Sequence, residues 1–255
     1  MFHLHGDGSG PVRAVAFHGW FGDGAGFASA LAGVLDPERF SVAFLDYRGY
    51  GAARSSPGPF DLNTIAIDAI AAADQLGWDH FSLIGHSMGG KAALRTALEA
   101  AGRVERIIGI TPVWAGAAPF DADTLGFFRS TANSPDARAA LIDLTTGHRL
   151  PGYWVRRIAE HSQDISTRHA FAAYLEAWAL DDFADEASTI DVPVQVIGGA
   201  FDQGIPPEWI SASWQAALPH VSVEIIENCG HYPMDECAPH LGRLIGQFLD
   251  PEGPR

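Results

Sequence analysis

Short apolar runs rich in β-branched residues alternate with helical patterns along most of this chain, and that alternation constrains the fold more than any other feature. Segments 12–17, 40–46, 81–84, 104–110, 192–198 and 221–226 read as strands. Helical stretches near 25–35, 62–76, 88–101, 207–217 and 239–249 lie between and after them. Strands that are apolar on both faces must be covered on both faces. The pattern therefore predicts an α/β fold with a mostly parallel, doubly wound sheet. In such sheets the reactive groups gather beyond the carboxyl ends of the strands.

The rhythm breaks between residues 114 and 188, where helical patterns at 137–144, 153–162 and 167–180 occur without a convincing strand. The chain is expected to divide into a sheet-bearing core, 1–113 and 189–255, and a helical cap insertion, 114–188. An insertion at that point sits over the carboxyl edge of the sheet and acts as a lid. Trp114, Trp154 and Trp178 from the lid, with Phe21 from the core, are candidate walls of an apolar substrate pocket.

Composition narrows the partners. The 255 residues are 47% hydrophobic and 18% charged, which describes a globular chain with a sizeable core. A net charge of −15 argues against a nucleic-acid partner and against an anionic membrane surface. No basic leader with an apolar core and no long apolar run is visible, so a cytoplasmic chain without a membrane segment is expected. Cys229 and Cys237 read as free thiols. Cys229-Gly230-His231 with Cys237 fits no common zinc spacing, so no metal and no cofactor are expected, and the partner is a small-molecule substrate.

The segment from Phe81 to Leu94, FSLIGHSMGGKAAL, puts a serine where a strand turns sharply into a helix. A side chain at Gly85 or Gly89 would collide with neighbouring backbone, so the glycines permit the turn that lifts the Ser87 hydroxyl out of the sheet. The helix N-terminus beneath it aims backbone amides at any negative charge forming there. This is the form of a nucleophile elbow.

A serine hydroxyl needs a base within hydrogen-bond reach, and that base needs a group to fix its tautomer. Asp202 follows the strand at 192–198 in a glycine-containing loop, and His231 follows the strand at 221–226 in the same way. Both belong at the edge of the sheet that carries Ser87. The rivals fit less well. His220 and Asp191 precede strands, His240 falls within the last helix, and Glu208 suits the first turn of a helix.

These pieces, together with His18-Gly19-Trp20-Phe21-Gly22, Asp46-Tyr47-Arg48-Gly49-Tyr50-Gly51 and Gly230-His231-Tyr232-Pro233, resemble the α/β-hydrolase superfamily over nearly the whole chain. The resemblance implies Ser87 as nucleophile, His231 as general base and then acid, and Asp202 as the orienting acid. It implies an oxyanion hole from the amides of Met88 and Trp20, with Phe21 as the alternative to Trp20. It also implies that His18, His86, Asp46 and Arg48 brace the loops around the site. Relatives often place a serine or threonine two residues after Gly51, where this chain has Ala53. The activity implied is hydrolysis of small, fairly apolar carboxylic esters, with lactones and thioesters beside them. C–C bond hydrolysis, cofactor-free perhydrolysis and a non-catalytic receptor are the alternatives.

Overall fold

The structure, a computed structural model, describes residues 3–100, 102–218 and 220–253. Ala101, expected to end a helix, and the terminal residues 1–2 and 254–255 of the expected core lie outside the described residues. Strands β1 (His3–Asp7), β2 (Val12–Phe17), β3 (Phe40–Asp46), β4 (Phe81–His86), β5 (Val104–Ile110), β6 (Val194–Gly199) and β7 (Ser222–Ile226) form one seven-stranded sheet in the order β1-β3-β2-β4-β5-β6-β7. From β3 to β7 every pairing is parallel.

β1 departs from the sequence reading, whose first strand is 12–17. It pairs antiparallel with β3, His3 opposite Asp46 and Asp7 opposite Val42. An edge strand buries little, so its apolar signal here is Leu4 alone between two histidines. His5 compensates by placing Nε2 2.8 Å from the buried carboxylate of Asp46.

Helix α1 (Gly24–Leu31) joins β2 to β3, α2 (Leu62–Gln75) joins β3 to β4, and α3 (Met88–Glu99) joins β4 to β5. The step from β2 to β3 runs one way across the sheet, and every later step runs the other way. Right-handed crossovers therefore put α1 on one face and α2 and α3 on the opposite face. The reversal opens a crevice beyond the carboxyl ends of β2 and β4, where a ligand site is expected. Both Gly19-Trp20 and Ser87 lie there. Side-chain oxygens of Asp23 and Asp61 cap α1 and α2 by accepting from Gly26 N at 2.9 Å and Thr64 N at 2.7 Å.

Between β5 and β6 the chain forms the helical insertion, α4 (Ala122–Ser130), α5 (Pro135–Thr145), α6 (Gly152–Ile165) and α7 (Arg168–Leu180), and then a short α8 (Ala184–Ala187). Helix α4 is absent from the sequence reading because none of its residues is fully buried, which leaves its apolar stripe faint. The helix expected at 207–217 is α9 (Pro207–Ile210) continued by a wider π-type turn through Gln215. The C-terminal part is α10 (Pro233–Glu236) and α11 (Ala238–Leu249). No helix among the described residues is long and apolar enough to cross a membrane.

Lys91 ties the insertion to the core. A helical lysine is ordinarily exposed, yet this one is fully buried in α3. Its Nζ donates to the carbonyls of Gly116 at 2.9 Å, of Trp178 at 3.0 Å, and of Asp181. Gly116 lies where the chain leaves the sheet for the insertion, and the other two where it returns, so one ammonium holds both ends. Burial lowers its pKa to about 8 against the pull of Asp181 and Asp182, which leaves it charged at neutral pH.

Lys91→Met would keep an unbranched apolar stem and orphan three carbonyls, each costing about 1–3 kcal/mol before relaxation. A net loss of about 3 kcal/mol is expected, read as a fall in Tm of about 6–12 °C. The folded-state pKa of about 8 lies below the ordinary 10.5, so the unfolded chain holds the extra proton between those values. Wild-type stability should therefore rise relative to the variant as pH climbs through that window. An unchanged Tm and an unchanged pH slope would remove the clasp.

Candidate active site

The turn between β4 and α3 is shaped by what cannot fit. A Cβ on Gly85 would run into the carbonyl of Gly89, and one on Gly89 into the carbonyl of Phe17. Between them Ser87 adopts φ 53° and ψ −119°, a strained conformation for a non-glycine residue. It is pinned there: its N–H donates to Ile110 O at 3.0 Å, and its carbonyl accepts from Gly90 N at 2.9 Å and Val113 N at 3.0 Å. A serine heading a helix ordinarily caps it, but the Ser87 hydroxyl makes no cap bond. It lies 3.0 Å from His231 Nε2 instead.

His231 Nδ1 lies 2.6 Å from Asp202 Oδ2, and the Asp202 side chain is inaccessible to solvent. The other oxygen, Oδ1, accepts from Gly204 N at 2.8 Å and Ile205 N at 2.9 Å, which fixes the plane of the carboxylate. A carboxylate against Nδ1 keeps the proton on that nitrogen and leaves the Nε2 lone pair facing the Ser87 hydroxyl. The three residues that sequence reasoning singled out, carried by separate loops, form one continuous hydrogen-bonded chain.

The loop around His231 is held by His86, as the resemblance implies, and by groups that sequence reasoning missed. The His231 N–H donates to Thr145 O of α5 at 3.2 Å, and its carbonyl accepts from His86 Nε2 at 2.8 Å and Thr111 Oγ1 at 3.0 Å. Glu236 accepts from the amides on either side of His231, Gly230 N at 2.9 Å and Tyr232 N at 3.1 Å, and pairs with Arg149 Nη1 at 2.9 Å. Burial, with the neighbouring His231, lowers the His86 pKa to about 3, so this imidazole stays neutral and supports the loop. Apart from the Arg149–Glu236 pair, these bonds run to backbone, and no side-chain spacing in the sequence announces them.

The His18-Gly19-Trp20 loop is anchored through three successive carbonyls. Tyr47 Oη donates to His18 O at 2.8 Å, His18 Nδ1 to Gly19 O at 2.8 Å, and Tyr50 Oη to Trp20 O at 3.0 Å. The Trp20 indole donates to Phe171 O at 2.8 Å and stacks on the Phe171 ring. Asp46 braces the neighbouring loops by accepting from Gly24 N at 2.7 Å and Ala52 N at 2.9 Å. Arg48 reaches away from the site to both oxygens of Asp68.

Two cavities meet at Ser87 and His231. One, of about 360 Å³, is mainly apolar and is walled by Phe21, Trp114, Phe120, Phe128, Leu141 and Trp178. The other, of about 330 Å³, carries His18, Asp23, His86, Arg157 and His161. At its mouth His161 of α6 approaches Asp23 to 3.3 Å, a bridge that raises the His161 pKa. Trp20 and Phe21 wall both cavities.

Trp154, expected in the pocket, walls neither cavity. Its ring packs edge-on against Tyr232, so the bulk that reads as pocket lining serves as a backstop to the His231 loop. His240 is exposed in α11 beside Arg243, and Asp191 is exposed ahead of β6. Neither comes near Ser87 in the bonded chain.

Residues 15–237 match the family described as alpha/beta hydrolase fold. The soluble epoxide hydrolase of Corynebacterium sp. (strain C12) is 25% identical over 247 residues, covering 87% of this chain and 84% of its own. The 2-hydroxy-6-oxononadienedioate/2-hydroxy-6-oxononatrienedioate hydrolase 2 of Pseudomonas putida is 25% identical over 269 residues, covering 98% of this chain and 91% of its own. The solved esterase from Exiguobacterium antarcticum matches with a TM-score of 0.86 at 22% identity over 97% of this chain and 95% of that one, a likeness of fold.

Proposed function

This chain belongs to the alpha/beta hydrolase fold family, and we propose that it is a serine hydrolase cleaving carboxylic esters of small, fairly apolar substrates through an acyl-enzyme. The observation that carries the reading is the bonded chain Ser87–His231–Asp202, at 3.0 and 2.6 Å. Ser87 attacks the carbonyl carbon while His231 Nε2 takes its proton. The tetrahedral oxyanion is met by the amides of Met88 and Trp20. Met88 opens α3, where an N–H has no intrahelical acceptor, and the peptide that carries the Trp20 N–H is held through its Gly19 carbonyl by His18 Nδ1. Collapse expels the alcohol, protonated by His231. Water activated by the same imidazole then releases the acid.

The apolar cavity supports a hydrocarbon-rich group on one side of the scissile bond, with Phe21, Trp114 and Trp178 as its contacts. The epoxide-hydrolase relative does not set the chemistry. A serine alkoxide opening an epoxide would leave an ether, which the same water could not release. An acyl group on Ser87 is hydrolysable, which favours carbonyl substrates. The polar cavity with Arg157 and His161 favours one second reading, C–C bond hydrolysis of a substrate whose other half bears an acid, in line with the name of the P. putida relative.

Hydrolysis of a p-nitrophenyl ester series from acetyl to decanoyl tests the proposal. A burst of p-nitrophenol followed by steady turnover is expected, with an optimum set by the apolar cavity. Absence of turnover across the series would sink the ester reading and leave the C–C substrate. Binding without turnover of either would point to a receptor.

A further inference from the structure

We infer that Cys229 and Cys237 are a modification site, a thiol pair that closes to a reversible intramolecular disulfide and thereby displaces the His231 loop. The two sulfurs lie 3.4 Å apart, and the loop they bracket carries His231. Cys229 is fully buried and sits two residues before His231, while Cys237 is half-buried at the junction of α10 and α11. Nothing in the proposed mechanism uses either thiol.

Both ends of this loop are wired to the site. The Cys229 carbonyl accepts from Phe201 N at 2.9 Å, and Phe201 adjoins Asp202. Glu236, next to Cys237, holds the amides of Gly230 and Tyr232 on either side of His231. A disulfide requires a sulfur separation of about 2.05 Å, so the bond draws the two sulfurs, one at each end of the loop, together by over an ångström. Misplacement of a catalytic group by about 1 Å can cost about 10²-fold in rate. The chain of bonds from Ser87 to Asp202 has no slack to absorb such a shift, and activity falls when the bond forms.

The oxidant is a hydroperoxide, and Cys237 meets it first because it is the more exposed sulfur. The Cys237 thiolate attacks the distal peroxide oxygen. That oxygen transfers to sulfur as a sulfenic acid, and the peroxide leaves as an alcohol, or as water from hydrogen peroxide. The Cys229 sulfur then attacks the Cys237 sulfur, a disulfide forms, and the hydroxyl departs as water. Two thiols and one peroxide thus give one disulfide, one alcohol and one water. The hydrogen bond between the sulfurs draws the Cys237 pKa down, which suits the attacking thiol, and the Cys229 proton passes to the departing hydroxyl as the disulfide forms.

The test treats the reduced protein with hydrogen peroxide and follows mass, thiol count and the rate at which a fluorophosphonate labels the active serine. Expected are loss of both thiols with loss of the mass of two hydrogens, a 229–237 cross-linked peptide, and labelling slowed about tenfold or more. Dithiothreitol restores all three, and Cys237→Ser keeps its labelling rate under the same peroxide. Sulfinic or intermolecular products alone, or a disulfide that leaves labelling unchanged, would overturn the inference. A reduced protein that never labels would instead count against Ser87 as nucleophile, with the mass result standing by itself for the thiol pair.

Discussion

Ser87→Ala is expected to cut hydrolysis of p-nitrophenyl esters by about 10⁴-fold or more while leaving the fold in place. The loss is large because no other group can take over. His86 is neutral and engaged with the His231 carbonyl, and among the described residues no second hydroxyl bonds His231 Nε2. What remains is positioning and the proposed oxyanion amides of Met88 and Trp20, a residue of catalysis that such sites retain at about 10³–10⁴ over water. The fold should survive because the Ser87 hydroxyl caps nothing and alanine bears the same φ of 53° as serine does. A Tm within about 2 °C of wild type is expected. A variant that kept a tenth of the activity, correctly folded, would place the nucleophile elsewhere and end the acyl-enzyme proposal.

The features legible in the sequence are those that sterics impose locally. Gly85 and Gly89 are required by backbone that passes too close for a Cβ, so the elbow can be read from residue types alone. Asp202 and His231 are legible because a parallel sheet sends the loops after β6 and β7 to the same edge as Ser87. Three features were not legible, each for its own reason. β1 needs a partner on one side only, so two histidines and a single leucine suffice. The burial of Lys91 carries no sequence signal because its ligands are carbonyls, whose positions depend on how the insertion closes rather than on any side chain. Trp154 faces Tyr232 instead of a cavity because α6 presents that side to the His231 loop, and aromatic content alone does not tell one side from another. Glu236 and Thr145 went unread for the same cause as Lys91. The chemistry of the site is written in side chains, and its rigidity is written in backbone bonds.

Asp202→Asn should be nearly as damaging as loss of the nucleophile, about 10⁴-fold in kcat, although it changes one atom. Oδ1 of Asp202 accepts from the amides of Gly204 and Ile205. An asparagine must keep its oxygen there, because its NH2 facing two N–H donors would leave all of them unpaired. The amide nitrogen is thereby forced to the position of Oδ2, 2.6 Å from His231 Nδ1. Nδ1 must then accept, the imidazole proton moves to Nε2, and a donor rather than a lone pair faces the Ser87 hydroxyl. The base is present and correctly placed, in the wrong tautomer. KM should change little, since Asp202 walls neither cavity. The proton shared between His231 Nδ1 and the carboxylate should give a far-downfield resonance in the wild type that the variant lacks. A loss of kcat below about tenfold, with that resonance gone, would show that the carboxylate does not set the imidazole tautomer, and Asp202 would lose its place in the proposed mechanism.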